Sequence, residues 1–172
     1  AAFEMPQITW SPDSRRIGFD SERDPPVNAA NSSDLSNSAR TSKIYVMDLD
    51  TGVVHEIAEG RLPSWSPSGE WIAYFDYPPQ KHDRWPMNLT VPERINLIRP
   101  DGTESRVASR WRAPWDDLSI APVWSPDSKT ILINRVRDEG YNMDIYMLNL
   151  ASRQLARKFK KSPPIYAWVA AR

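Results

Sequence analysis

The stretch TWSPDSRRIGFD at residues 9–20 returns twice in altered form, as SWSPSGEWIAYF at 64–75 and VWSPDSKTILIN at 123–134. Each copy places a tryptophan before Ser-Pro and small polar residues, and then a run of apolar residues. Proline at the second position of a four-residue turn, among small polar residues, favours a tight reversal. The apolar run is typical of a buried strand. The repeat therefore predicts the same β-hairpin three times.

Two more strands follow each predicted hairpin. A third strand recurs as KIYVMDL (43–49), RINLIRP (94–100) and DIYMLNL (144–150), and a more polar fourth strand as VVHEIA (53–58), TESRVA (103–108) and RQLARK (153–158). Alternation of polar and apolar residues in the fourth strand fits an outer edge with one face in water. A four-stranded antiparallel meander of about 40 to 45 residues has the period of a β-propeller blade.

The predicted fold class is accordingly all-β, a β-propeller with three full blades and one extra strand. The predicted divisions are blade 1 at 3–60 with a long loop at 20–42, blade 2 at 61–108 with a long loop at 76–93, and blade 3 at 109–160. Residues 161–172 are predicted as the inner strand of a next blade or a swapped closing strand, with Trp168 placed as the other repeat tryptophans are.

Composition excludes several classes of function. The 172 residues carry 22 Lys and Arg against 22 Asp and Glu, so no polyanion binding is indicated and we expect no nucleic-acid partner. No apolar run approaches the roughly 20 residues that span a bilayer, so no membrane insertion is expected. The absence of Cys excludes a disulfide framework, a thiol nucleophile and a zinc-thiolate site.

The turn Trp-Ser-Pro-Asp-Ser at 10–14 and 124–128, with the strand Ile-Tyr-Val-Met-Asp-Leu at 44–49, resembles the WD-like repeat of TolB-type β-propellers. The same repeat type occurs in the propeller domains of prolyl-oligopeptidase and tricorn-type peptidases. The resemblance covers roughly residues 3–160. It implies the propeller fold, and the TolB likeness implies a periplasmic or extracellular location and a role in binding.

Three blades are fewer than the four to eight of closed propellers. Two arrangements would cover the open edges: two chains forming one six-bladed ring as a homodimer, or a chain that is a piece of a larger protein.

The insertions differ among the units. The stretch from the repeat tryptophan to the third strand is longest in the first unit (10 to 44), shorter in the second (65 to 95) and shortest in the third (124 to 145). The link between the second and third units, at 109–122, is also long. In a meander all these connections lie at one end of the blades, where loops on a rigid scaffold commonly bind.

The first insertion, at 21–42, is rich in Ser, Asn and Asp and predicts a solvated loop. The other two combine aromatic residues with Arg, a mixture typical of binding hot spots, although the same tryptophans would also suit packing against the core. The candidate binding residues are Tyr77, His82, Arg84, Trp85, Trp111, Arg112, Trp115, Asp116 and Asp117.

No catalytic residue, metal site or cofactor is predicted. His55 falls in an edge strand as an exposed residue, and no Gly-x-Ser-x-Gly nucleophile motif occurs. His82 and the acidic residues near it lack the spacing of known metal motifs. The favoured hypothesis is a non-catalytic scaffold that binds a protein or peptide. The alternatives are the propeller domain of a larger prolyl-oligopeptidase or tricorn-like peptidase, and a propeller carbohydrate-active enzyme that uses His82 with Asp116 and Asp117.

Overall fold

The structure is a computed structural model, and it describes residues 7–22, 42–76, 94–110, 120–136 and 143–167. Within these ranges the chain forms twelve strands and no helix, arranged as three four-stranded antiparallel sheets. The predicted all-β propeller architecture is confirmed. Within the described ranges, no helix is long and apolar enough to cross a membrane.

Each sheet is one blade, and its strands lie in chain order from the inner to the outer edge. Blade 1 consists of β1 (Ile8–Trp10), β2 (Arg16–Glu22), β3 (Ser42–Asp48) and β4 (Val54–Glu59). Blade 2 consists of β5 (Arg61–Trp65), β6 (Ile72–Asp76), β7 (Arg94–Ile98) and β8 (Ser105–Arg110). Blade 3 consists of β9 (Val123–Trp124), β10 (Thr130–Val136), β11 (Met143–Asn149) and β12 (Leu155–Ser162).

The outer strands run further than the sequence pattern predicts. β8 continues two residues past the predicted end of blade 2 at 108, and β12 continues two residues past the predicted end of blade 3 at 160. The third and fourth strands of every blade pair with a register shift close to the beginning of the third strand. A β-bulge of this kind adds a residue to one strand and breaks its alternation, so the polar ends of β8 and β12 resemble linkers in the sequence.

The tight turns use the same hydrogen bonds in blades 1 and 3. Ser11 Oγ donates to Asp13 Oδ1 at 2.5 Å and accepts the backbone N–H of Arg16 at 2.9 Å. Ser125 Oγ donates to Asp127 Oδ1 at 2.6 Å and accepts the N–H of Thr130 at 3.0 Å. The buried hydroxyl thus joins the two ends of the turn, which explains why Ser follows the repeat tryptophan each time.

The blades stack face to face through two apolar clusters. We call the surface of a blade that packs on the following blade its rear face, and the opposite surface its front face. Strand alternation sends Ile44 and Val46 to the rear of blade 1, where they pack with Trp65, Ile72 and Tyr74 from the front of blade 2. The larger cluster joins blades 2 and 3 in the same way and consists of Leu62, Ala73, Phe75, Ile95, Leu97, Ala108, Trp124, Ile131, Ile133 and Leu148.

Polar contacts also join the blades. The backbone N–H of Trp65 donates to Thr9 Oγ1 at 3.0 Å, and the indole N–H of Trp124 donates to the carbonyl oxygen of Ser64 at 2.9 Å. These bonds lie between inner strands of neighbouring blades. They set the position of one blade relative to the next, because a hydrogen bond is directional and apolar packing is not.

The segment at 163–167 follows β12 and runs against the rear face of blade 3. Ile165 packs on a cluster formed by Val123, Leu132 and neighbouring side chains of that face. Its backbone N–H donates to Asn134 Oδ1 at 2.8 Å, and its carbonyl oxygen accepts from Asn134 Nδ2 at 2.7 Å. The segment at 163–167 is therefore joined to blade 3 by two hydrogen bonds with one side-chain amide.

Candidate functional site

The long connections all leave the scaffold from one end of the blades. In a meander of four antiparallel strands, the second strand ends beside the start of the third strand, and the fourth ends beside the start of the first. The chain between β2 and β3, β6 and β7, and β8 and β9 therefore begins and ends at that side. We call this side the insertion face; it is marked by the strand ends Glu22, Ser42, Asp76, Arg94, Arg110 and Val123.

The candidate binding residues lie in connections that leave this face, at 77–93 and 111–119. Tyr77, His82, Arg84, Trp85, Trp111, Arg112, Trp115, Asp116 and Asp117 all fall outside the described residues. What the structure supplies is the position from which each connection starts. The predicted roles of these nine residues stay predictions.

An ion pair lies at the base of the second connection. Asp76 and Arg94 are cross-strand neighbours at the ends of β6 and β7, and Arg94 Nε lies 3.6 Å from Asp76 Oδ2. Both side chains are partly exposed, so the pair contributes little to stability. It nevertheless gives the two ends of the connection at 77–93 a defined separation.

The opposite end of the blades, which we call the turn face, is compact. Asp13 and Asp127 accept hydrogen bonds from the turn serines Ser11 and Ser125, and these bonds hold the pKa of both carboxyl groups below the usual aspartate value. Asp48 has a lowered pKa because it accepts the backbone N–H of Thr51. These carboxylates are occupied in closing turns.

A cavity of about 460 Å³ lies along the inner strands of all three blades. Its walls include Ile8, Pro63, Pro122 and Tyr166, which hold equivalent positions in successive inner strands and in the segment at 163–167. No charged side chain is among the described residues that line it. Its polar groups include Thr9 Oγ1 and the Ser64 carbonyl oxygen, which already accept hydrogen bonds between blades. The cavity wall therefore offers few polar groups that could bind a ligand or take part in a reaction.

No metal centre is formed by the part of the chain that the structure describes, because it holds no group of three or more His, Cys, Asp or Glu side chains. His55 is exposed on β4, as predicted for an edge position. The proposed acid and base of a carbohydrate-active enzyme, His82 with Asp116 and Asp117, belong to the stretches not described.

Two residues with a clear role escaped the sequence analysis. Asp20 in β2 accepts the N–H of Gln7 at 2.8 Å and the N–H of Leu62 at 2.9 Å, so it joins blade 1 to blade 2. Asn134 occupies the same place in β10 and binds Ile165. A comparison of the three repeats reveals a polar residue at this strand position in blades 1 and 3, whereas blade 2 has Phe75 there.

Comparison with known proteins supports the fold. No protein-family model matches the chain. A probable dipeptidyl-peptidase 5 from Emericella nidulans is 32% identical over 113 residues, which is 60% of this chain and 15% of that protein. A putative TolB from Agrobacterium tumefaciens superposes with a TM-score of 0.60 at 16% identity, over 95% of this chain and 53% of the other.

Two further structures show the same likeness. TolB from Acinetobacter baumannii superposes with a TM-score of 0.56 at 19% identity, over 88% of this chain and 31% of the TolB chain. An oligogalacturonate lyase in complex with manganese has a TM-score of 0.56 at 16% identity, over 88% of this chain and 40% of the lyase. The chain therefore has the β-propeller fold of TolB-type proteins and spans only part of each protein compared. The same fold carries non-catalytic proteins and enzymes, so the likeness does not decide function.

Proposed function

We propose that the chain is a non-catalytic β-propeller scaffold that binds a protein or peptide partner through the insertion face. The observation that carries the proposal is that the connections at 23–41, 77–93 and 111–119 leave the stacked blades at one end. Loops gathered at one end of a rigid scaffold form a continuous surface that can vary without disturbing the fold.

The scaffold beneath the insertion face is rigid enough for this role. Ile72, Leu97 and Ile131 in the central strands are fully buried. The inter-blade bonds from Leu62 to Asp20 and from Trp124 to Ser64 hold the blades in register. The starting points of the connections are therefore fixed relative to each other, which lowers the entropy lost when a partner binds.

The residue types in the connections indicate the kind of partner. Trp85, Trp111 and Trp115 provide large apolar areas at low conformational cost, and Arg84 and Arg112 provide forked donors for carbonyl and carboxylate oxygens. This mixture suits an extended peptide or a protein loop. The likeness to TolB proteins supports a periplasmic or extracellular location for the interaction.

A peptide-selection experiment tests the proposal. Peptides selected from a random library on the 172-residue chain should lose affinity by roughly tenfold or more when Trp85, Trp111 and Trp115 are replaced by alanine. A matched control replaces Arg15 and Val53, which are exposed on the turn face, by alanine and should leave the dissociation constant unchanged. Selected peptides that bind the triple variant and the parent equally, with both proteins folded by circular dichroism, would reject the insertion face as the binding site.

A second candidate function is the propeller domain of a larger peptidase. The identity of 32% with a probable dipeptidyl-peptidase 5 favours it, and the chain corresponds to only 15% of that relative. In this case the insertion face would present peptides to a hydrolase domain elsewhere in the protein. The coding sequence should then continue into a domain with a Gly-x-Ser-x-Gly nucleophile motif. A stop codon soon after the codon for Arg172 would exclude this candidate.

A further inference from the structure

The front face of blade 1 is an uncovered version of a surface that is buried elsewhere in the molecule. A cross-strand row on this face runs through Trp10, Ile17, Met47 and Val54, as the pairing registers show. The equivalent row of blade 3 runs through Trp124, Ile131, Leu148 and Leu155, and all four pack in the cluster shared with blade 2. The exposed fraction is 59% for Trp10 and 6% for Trp124. The front face of blade 1 thus has the composition of a blade interface without its partner.

The rear face of blade 3 is the complementary surface, and the segment at 163–167 covers part of it. Ile165 precedes Trp168 by three residues, as Leu62 precedes Trp65. The backbone N–H of Ile165 donates to the side chain of Asn134. The backbone N–H of Leu62 donates to the side chain of Asp20, which holds the equivalent position in blade 1. The segment therefore occupies the place that the inner strand of a following blade takes at the join between blades 1 and 2.

The segment at 163–167 lacks the turn that makes an inner strand part of a blade. In all three blades the tryptophan is followed by a buried serine, Ser11, Ser66 or Ser125, with at most 4% of its surface exposed. Trp168 is followed by Val169, which has no hydroxyl group to join the two ends of a Ser-Pro turn. The segment fills an inner-strand position without the chemistry that would continue into the usual hairpin.

We propose that the rear face of blade 3 binds the front face of blade 1 of a second copy of this chain, in competition with residues 163–167. Front and rear faces already pair twice within one chain, so the contact is self-complementary. The inner strand β1 of the second copy would need the place that the segment at 163–167 holds. Two copies give six blades, within the range of four to eight blades that close into rings, whereas three copies exceed it. Release of the segment therefore permits a closed, two-fold dimer.

Removal of the segment tests the proposal. A chain ending at Ser162 should dimerise roughly tenfold more tightly than the full chain and sediment as a discrete species at twice the mass of one shortened chain. Replacement of Trp10 by Asp in the shortened chain should restore the monomer, because it places a charge in the new interface. The matched control is Val53→Asp, since Val53 is 47% exposed on the turn face, away from both stacking faces, and should not affect dimerisation.

A second variant keeps the test valid if the shortened chain fails to fold. Ile165→Asp in the full chain disturbs the packing of the segment on blade 3 and should also strengthen dimerisation by roughly tenfold. The proposal is overturned if the folded shortened chain, or the folded Ile165→Asp chain, stays monomeric where the parent does. It is equally overturned by assemblies that grow without a defined mass, or by dimers that Trp10→Asp leaves intact.

Discussion

Asp20 lies in β2 with 7% of its surface exposed, and its two carboxylate oxygens accept N–H groups from different blades. A buried carboxylate is stable there because both oxygens are hydrogen-bonded. Asn134 makes a comparable contact in blade 3 with one donor and one acceptor, which suits a partner that offers both an N–H and a carbonyl. At the scale of single residues, the join between blades depends on this strand position.

Replacement of Asp20 by alanine should destabilise the chain by about 2 to 3 kcal/mol, because two N–H groups lose their acceptor in a buried position. Asp20→Asn should cost less, since its amide oxygen still accepts one of the two bonds. Equilibrium denaturation in urea measures both values. Equal losses for the two variants would show that the negative charge, and not the hydrogen bonding, supports the join.

Gly60 is the second residue with a strong positional requirement. It precedes β5 with φ at 151°, and a Cβ atom there would lie 2.6 Å from the backbone oxygen of Phe75. Gly52 also has a positive φ, at 71°, but nothing lies within 4 Å of its Cβ position.

We therefore expect Gly60→Ala to destabilise the chain by more than about 2 kcal/mol, whereas Gly52→Ala should cost about 1 kcal/mol from backbone strain alone. Thermal unfolding of the two variants beside the parent gives the comparison. A smaller loss for Gly60→Ala than for Gly52→Ala would mean that the chain at the join between blades 1 and 2 relaxes to accommodate the methyl group.

At the scale of elements, the turn between the third and fourth strands of blades 1 and 3 is closed by an acceptor at the end of the third strand. Asp48 accepts the N–H groups of Asp50 and Thr51, and Asn149 accepts those of Ala151 and Ser152. The same turn is therefore built once with a charged acceptor and once with a neutral one. The bonds from Thr51 hold the pKa of Asp48 below that of a free aspartate.

This difference predicts a pH effect. Because the pKa of Asp48 is lower in the folded chain than in the unfolded chain, its carboxylate stabilises the fold above about pH 3.9, and this stabilisation is lost as the pH falls through the lower, folded value. Asp48→Asn should reduce the loss of stability between pH 5 and pH 2, and Asn149→Asp should increase it. Urea denaturation at several pH values in this window gives the test. Identical pH profiles for parent and both variants would contradict it.

The strands and turns were predictable because their signals are local. Pro12 and Ser11 are neighbours of the strands that they join, and the tryptophan repeat places each hairpin. The bond from Leu62 to Asp20 was not predictable in the same way, because its partners are 42 residues apart and meet only when blades stack. For the candidate site, the sequence indicated which face carries the insertions, since strand order alone determines that. The contacts of Trp85 or Trp111 depend on long connections, for which no periodic pattern constrains the backbone.

At the scale of the whole molecule, blade 2 differs from the other two because it is covered on both faces. Tyr74 and Ile98 pack toward blade 1, and Phe75 and Leu97 pack toward blade 3. Blade 1 has only its rear face covered by another blade. In a stack of repeats, stability depends on the interfaces that each repeat makes with its neighbours.

We accordingly expect the amide hydrogens of β6 and β7 to exchange more slowly than those of the equivalent strands β2 and β3. Hydrogen exchange followed by mass spectrometry resolves the two pairs of strands. The Asp20→Ala variant should accelerate exchange in blade 1 more than in blade 3, because it weakens the first join only. Uniform protection across the blades would indicate that the chain opens as one cooperative unit.

The separation of the insertion face from the turn face also bears on how such a chain evolves. A mutation in the Ser11 or Ser125 turn alters hydrogen bonds on which a whole blade depends, so selection for folding acts there directly. A residue inserted between β6 and β7 alters no ladder bond in any sheet, because that connection joins strands whose registers are set by their own pairing. New specificities can therefore arise by lengthening one connection at a time, while the inherited blades remain unchanged.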